Sequence, residues 1–311
     1  MRRRTFMRMT AAAAAGGVLA SCKAGAEGLP RREYKDGIKL SVIGFGGIVV
    51  CGLEQAAADR IVAESFDRGV NYYDVAPSYF DGEAETKLGP ALEPYRKRSF
   101  LACKTTERDA AGARRELERS LNRLRTDHFD LYQFHAVSSL EDVDRILAPG
   151  GAAETFLKAR EEGKVRYLGA SLHHAEAAIA LMDRFKLDSV LFPVNFVLFR
   201  EGNFGPQILE HARKKGVARL ALKALAHHAW PEGADRSGWP KCWYKPIEDP
   251  ALGERSVRFT LSEDVTAAIP PGEEKLFRMA LDFGERFRPL VPKEREHLLA
   301  SARGLVPIFR A

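Results

Sequence analysis

The sequence predicts an α/β chain folded as a closed (β/α)8 barrel, and three observations carry that expectation. Eight short apolar runs recur between residues 40 and 269. Stretches of helical period separate most of them. The polar residues attached to the runs gather at their carboxyl ends. The runs are LSVIGF (40–45), VNYYD (70–74), SFLAC (99–103), DLYQFH (130–135), RYLGA (166–170), VLFPVN (190–195), ARLAL (218–222) and VTAAI (265–269). Their near-continuous hydrophobicity suits strands covered on both faces by helices.

Spacing places the helices. In residues 56–69, Ile61, Ser65 and Arg68 share one edge, Val62 and Phe66 lie beside them, and Gly69 marks the stop. In residues 110–125, Leu117, Leu121 and Leu124 recur at four- and three-residue steps among Arg and Glu. Residues 175–186 and 205–216 behave alike, the second closing on Lys214, Lys215 and Gly216 as a helix carboxyl end should. An open doubly wound sheet also alternates strands and helices. No repeat or linker divides residues 31–311, which favours one barrel. Residues 227–254 break the rhythm with Pro, Gly and Trp and are expected to form one long loop, of a length that tends to be functional.

The chain has 311 residues, is 45% hydrophobic and carries a formal net charge of +6. Arg2, Arg3, Arg4, Arg8 and Lys23 sit in residues 1–23 with no acid among them, which leaves only +1 on everything else. A nucleic-acid partner is therefore not expected. The basic head and the short run TAAAAAGGVLA fall well below a membrane span and have the grammar of an export signal. The arginines ahead of Phe6 resemble the twin-arginine type, and Leu19-Ala20-Ser21-Cys22 resembles a lipoprotein cleavage box. Residues 1–30 are thus expected to be signal and linker, with the export machinery as a partner. The destination would be the periplasm or, through a lipid on Cys22, the outer face of the membrane; a non-functional leader would leave the protein cytoplasmic. Cys22, Cys51, Cys103 and Cys242 show no metal-ligand spacing, and Cys51 and Cys103 read as small buried thiols.

In a barrel, every strand opens its carboxyl end onto one face. Asp74 ends the second run, Lys104 follows the third, His135 ends the fourth and Asn195 ends the sixth, with Tyr79 on the loop beyond Asp74. Each has an ordinary reading alone: a buried ion pair, a core histidine, a loop aromatic. Together they make a chemical set. A tyrosine titrates near 10, so at neutral pH it holds a proton it can donate. A close ammonium, Lys104, would lower that value by roughly 1–3 units. Asp74 would hold the charge on Lys104, and His135 would hydrogen-bond the oxygen that receives the proton. The expectation is a general acid tuned toward neutrality, suited to the oxyanion left when a hydride reaches a carbonyl.

The residues carry a resemblance. RGVNYYDVAPSYFDGEAETKLGPAL (68–92) resembles the signature of the aldo-keto reductases, Gly-[Val/Ile]-Asn-x-x-Asp-x-Ala-x-x-Tyr followed by Gly-x-x-Glu-x-x-Leu-Gly-x-Ala-Leu. FLACKT (100–105) is similar to that family's Lys strand, DHFDLYQFH (127–135) to its Asp-x-x-Asp-Leu-Tyr-x-x-His strand, and KVRYLGASLHH (164–174) to its Gly-x-Ser-Asn segment. The likeness spans about residues 38–285. It implies a barrel, a nicotinamide cofactor, NADP(H) ahead of NAD(H), and reduction of an aldehyde, ketone or sugar. By its motifs it assigns Asp74, Tyr79, Lys104 and His135 as catalytic, with Tyr79 the proton donor. Two positions depart from the pattern: Leu172 stands where Asn follows the serine, and Leu191 where Gln precedes Asn195 by four. The nicotinamide carboxamide would then fall to Ser171 and Asn195. AAIPPGEEKLFRMAL (267–281) resembles the phosphate-binding turn and helix, with Gly272, Lys275 and Arg278 as cofactor residues.

Other readings compete. Gly44 and Gly46 follow a strand as in a dinucleotide fingerprint, but Val49 takes the third glycine position, and a lone G-x-G is weak. The pairs His173-His174 and His227-His228 lack the spacing and acid partners of a metal site, so none is expected. A barrel that binds cofactor and turns over little is the alternative that Leu172 and Leu191 suggest. Trp230, Trp239, Trp243 and Tyr244 in the long loop offer aromatic faces for a sugar ring.

Overall fold

The structure, a computed structural model, describes residues 28–311. The expected signal sequence and Cys22 lie outside the described residues. Among the described residues no helix is long and apolar enough to cross a membrane.

Eight strands form the barrel: β1 (Phe45–Gly46), β2 (Tyr72–Asp74), β3 (Phe100–Thr105), β4 (Phe129–Val137), β5 (Val165–Leu172), β6 (Ser189–Pro193), β7 (Ala218–Leu222) and β8 (Ala267–Ile269). Each pairs in parallel with its neighbours in sequence. A parallel bridge between Ile43 and Ala268 closes the ring, with Gly44 N donating to Ala268 O at 3.0 Å and Ala268 N to Val42 O at 2.9 Å. Outside run α1 (Gln55–Asp67), α2 (Glu83–Leu92), α3 (Ala110–Arg123), α4 (Leu140–Leu147), α5 (Ala152–Glu161), α6 (Ala175–Arg184), α7 (Pro206–Lys215), α8 (Pro250–Ser262), α9 (Glu274–Glu285) and α10 (Pro292–Ser301). The open doubly wound alternative is excluded by this closure.

The first apolar run does two jobs, and its expected register needs correction. Residues Ile38–Ser41 pair antiparallel with Arg31–Lys35, and the barrel strand begins only after them. The hairpin is a floor. Tyr34 and Leu40 join Tyr72, Phe100, Tyr167 and Leu191 in a separate buried cluster inside the barrel. The Tyr34 hydroxyl hydrogen-bonds Ser189 Oγ at 3.0 Å, and its ring meets Phe100 and Tyr167 edge-on at 5.0 and 5.4 Å. Tyr34 thereby satisfies its one polar atom where water is excluded.

Gly44 is not a phosphate-binding glycine: a Cβ there would lie 2.6 Å from the Tyr72 ring. No helix starts behind it until α1. Gly89, in the motif LeuGly of α2, lets that helix touch α3; a Cβ would sit 2.3 Å from Arg123 O. The buried Glu85 of the same motif accepts a hydrogen bond from Arg123 at 3.2 Å, so the pattern Glu-x-x-Leu-Gly builds the α2–α3 contact. Residues 227–254 are not a single loop. Ala226–His228 pairs with Lys245–Pro246, and α8 has begun at Pro250. The excursion between the two short strands carries Trp230, Trp239 and Trp243.

Candidate active site

Asp74 is the last residue of β2, and Lys104 lies within β3, one residue before its end rather than after it. Side chains alternate along a strand, so Tyr72 and Asp74, Ala102 and Lys104, and Leu131, Gln133 and His135 all point into the barrel. Lys104 Nζ donates to Asp74 Oδ1, to Val75 O at 3.3 Å and to the Tyr79 hydroxyl at 3.1 Å. The other carboxylate oxygen of Asp74 accepts from Gln133 Nε2 at 2.9 Å and from the Tyr72 hydroxyl at 3.4 Å. Asp74 and Lys104 are both buried, yet every oxygen of the anion has a donor, the condition under which a buried ion pair holds. Burial works against the Lys104 charge, but Asp74 and Tyr79 outweigh it and raise the ammonium above its ordinary value.

Two backbone devices aim the remaining groups. After Tyr79 the chain passes through Phe80 and Asp81 with φ of 50° and 52°, turning at once into α2. Ala136, with φ of 54°, sits in the irregular register between Phe134 and Val137, directly after His135. Such bulges re-aim side chains beside active sites. The Tyr79 and His135 rings meet edge-on at 5.6 Å, and His135 Nδ1 lies 3.2 Å from Ser78 Oγ. Burial, then the Lys104 ammonium, drive His135 far below its ordinary value, so it is a neutral imidazole. Tyr79 corrects the expected tuning. Burial raises it, Lys104 lowers it, Asp74 raises it again, and the balance lies above the ordinary value. A cation tightly paired with an anion acts on the phenol largely as a dipole.

These residues open into a cavity of about 580 Å³, lined by Asp74, Tyr79 and His135 on one side and by Trp239, Trp243 and Tyr244 of the excursion on another. The profile of the Aldo/keto reductase family matches residues 42–241. The chain belongs to the aldo/keto reductase family. It is an NAD(P)H-dependent oxidoreductase. It is similar to the 6-dehydroglucose reductase of Novosphingobium aromaticivorans, 33% identical over 219 residues, 63% of this chain and 68% of that one. It is similar also to the aldo-keto reductase YhdN of Bacillus subtilis, 30% identical over 208 residues, 61% of this chain and 60% of that one. The solved holo structure of aldo-keto reductase AKR11C1 from Bacillus halodurans superposes with a TM-score of 0.70 at 23% identity, covering 90% of this chain and 98% of that one, which shows the shared barrel.

In this aldo/keto reductase the residues expected to hold the cofactor divide. Ser171, in β5, faces the cavity, its Oγ accepting from Ala136 N at 3.3 Å. Gly272 lines the cavity with Pro270 and Pro271. Asn195 does not reach it. It lies two residues past β6, and its amide is spent on backbone, Nδ2 donating to Lys223 O at 3.1 Å and Oδ1 accepting from Leu198 N at 2.9 Å. Arg278 is not free either, since its guanidinium binds Glu64 at 2.8 Å and also Glu274. Lys275 is exposed on the first turn of α9, 5.9 Å from the Trp239 ring. Leu191 fills the barrel interior and Leu172 the surrounding core, which leaves no polar side chain at either departure from the family pattern. The cavity fits a dinucleotide in charge: Asp74, already matched by Lys104, is the one carboxylate among its described lining residues, against Lys223, Arg236 and Lys241.

Sequence reasoning missed Gln133 and Lys223. Alternation with His135 would have found the first. The second is a lysine directly after the seventh apolar run, the same signal that found Lys104. His173 also lines the cavity and stacks on Phe309 at 4.8 Å, while His174 caps α6, its ring accepting from Ala177 N at 3.3 Å.

Proposed function

We propose that this enzyme reduces the carbonyl of an aldehyde, ketone or sugar with Tyr79 as the general acid and NADP(H) as the cofactor. One observation carries the reading: a single buried ammonium, Lys104 Nζ, bonds Asp74 and lies 3.1 Å from the Tyr79 hydroxyl at the edge of the cavity. A bound nicotinamide supplies the hydride that reduces the carbonyl carbon. Tyr79 gives its proton to the oxygen, and Lys104 stabilises the phenolate left behind. A phenol raised above its ordinary value keeps its proton at neutral pH and is still a far stronger acid than the alcohol it forms. His135, neutral, presents Nε2–H to the carbonyl oxygen when Nδ1 accepts from Ser78.

Lys275, which makes no ion pair among the described residues, supports NADP(H) as the cation left for a 2′-phosphate once Arg278 is engaged. The aromatic lining, and the printed name of the Novosphingobium relative, support a sugar as the carbonyl substrate. The test is Tyr79→Phe with NADPH and a short aldehyde. A general acid is worth about 10²- to 10⁴-fold, so kcat should fall by that factor while NADPH binding, followed by fluorescence, stays as it was. Unchanged turnover in the variant would remove Tyr79 from the reaction.

A further inference from the structure

Lys223 directly follows the last residue of β7, where the backbone turns through a left-handed conformation with φ of 65°. For a residue other than glycine this is held only by surroundings that over-determine it, commonly at functional positions. Here the surroundings are explicit. Asn195 Nδ2 donates to the Lys223 carbonyl at 3.1 Å, and Asn195 is itself buried and locked by the Leu198 amide. The Asn195 amide, spent on backbone, therefore fixes where the lysine starts.

The side chain lies on the cavity wall, its ammonium 5.2 Å from the Trp243 ring centroid and 5.1 Å from that of Tyr244. Aromatic faces attract a cation but accept none of its three N–H donors as a carboxylate would. Among the described residues no carboxylate acts on Lys223; the one charged neighbour felt there is Lys104, which repels it. The Lys223 charge is felt in turn at His135 and His173, the groups around the Tyr79 hydroxyl. No residue of α9 feels it. A poorly hydrated ammonium with open donors, facing a cavity of surplus positive charge, is built to receive an anion.

We propose that Lys223 is the specificity-determining residue of the substrate pocket, its ammonium binding a carboxylate carried by the carbonyl substrate while Tyr79 and His135 engage the carbonyl. The inference rests on the carbonyl-reduction reading and names its substrate class, an oxo acid or an acidic sugar. A cofactor phosphate is the other anion that could meet this lysine, and the test separates the two.

Wild type, Lys223→Met and Lys223→Arg are compared on succinic semialdehyde and 4-oxobutanamide, aldehydes of one shape that differ by a charge. Wild type should prefer the carboxylate by about 10- to 100-fold in kcat/KM, mainly through KM. Lys223→Met should lose the preference and Lys223→Arg should keep most of it. A titration without turnover, quenching of tryptophan fluorescence by succinate against succinamide, should show the same selectivity, because Trp243 touches the ammonium. A wild type indifferent to the charge, or a preference that survives in Lys223→Met, overturns the proposal. So does a Lys223→Met variant whose affinity for NADPH falls as far as its affinity for succinate, which would give the ammonium to the cofactor. Failure of both aldehydes to turn over would count against carbonyl reduction, and the succinate titration would still decide Lys223.

Discussion

Lys104, inside β3, and Lys223, just past β7, are ammonium groups on the rim of one cavity, and burial has opposite outcomes for them. Lys104 faces Asp74, and its charge is held above the ordinary value. Lys223 faces two aromatic rings and another cation; burial, then the repulsion of Lys104, bring it down to about 8. The wall built from β2, β3 and β4 is thus electrically closed, while the wall formed by β7 and the excursion is open. The closed wall suits proton transfer, where groups must stay put. The open wall suits recognition, where a ligand supplies what the protein leaves out.

Tyr79→Phe should break the closed wall most severely, with the loss of about 10²- to 10⁴-fold in kcat given above and no change in melting. Next comes Lys104→Met. It strands the Asp74 carboxylate in the interior with Gln133 and Tyr72 but no counter-charge, which costs about 3–5 kcal/mol in urea unfolding. Lys223→Met strands nothing, so its unfolding midpoint should stay level or rise. Equal losses in the two variants would erase the contrast. Gln133→Leu is smaller. It removes the 2.9 Å bond to Asp74 and frees the carboxylate to turn, so kcat should drop about tenfold with KM nearly unmoved, a split that simple loss of packing would not give.

The pH profile sharpens the same comparison. Lys223 carries its charge below about 8 and sheds it above, so kcat/KM for a carboxylate-bearing aldehyde should fall about tenfold per unit beyond that point. Lys104 keeps its charge across the range, and the other groups facing Lys223 hold still. His135 and His173 are pushed down and remain neutral, whereas Tyr244 is pushed up and Cys242 rises to about 12. The uncharged amide analogue should show no inflection near 8. An inflection shared by both substrates would place the titration elsewhere.

Much of the barrel was legible because a strand covered on both faces must be apolar along its length, as in FLACKT and DLYQFH. Asp74, Tyr79, Lys104 and His135 were legible because a charge at the end of such a run is costly unless it meets a partner. The hairpin at Arg31–Lys35 was not, since its apolar residues, Tyr34 and Leu40, are too few to show a period, and they matter only once a barrel exists to be plugged. Asn195 and Arg278 misled for a shared reason: an amide or a guanidinium names what it can bind, and only its neighbours decide what it does bind.

The order of strands and helices and the four groups of the proton-transfer set were determined by the sequence alone, because burial of apolar surface and the cost of an unpaired charge are written in residue type and spacing. Whether a charge finds its partner is a matter of distance across the ring. Tertiary structure alone decided that Tyr79 is not acidified, that Asn195 serves the backbone, and that Lys223 faces the cavity with its donors open.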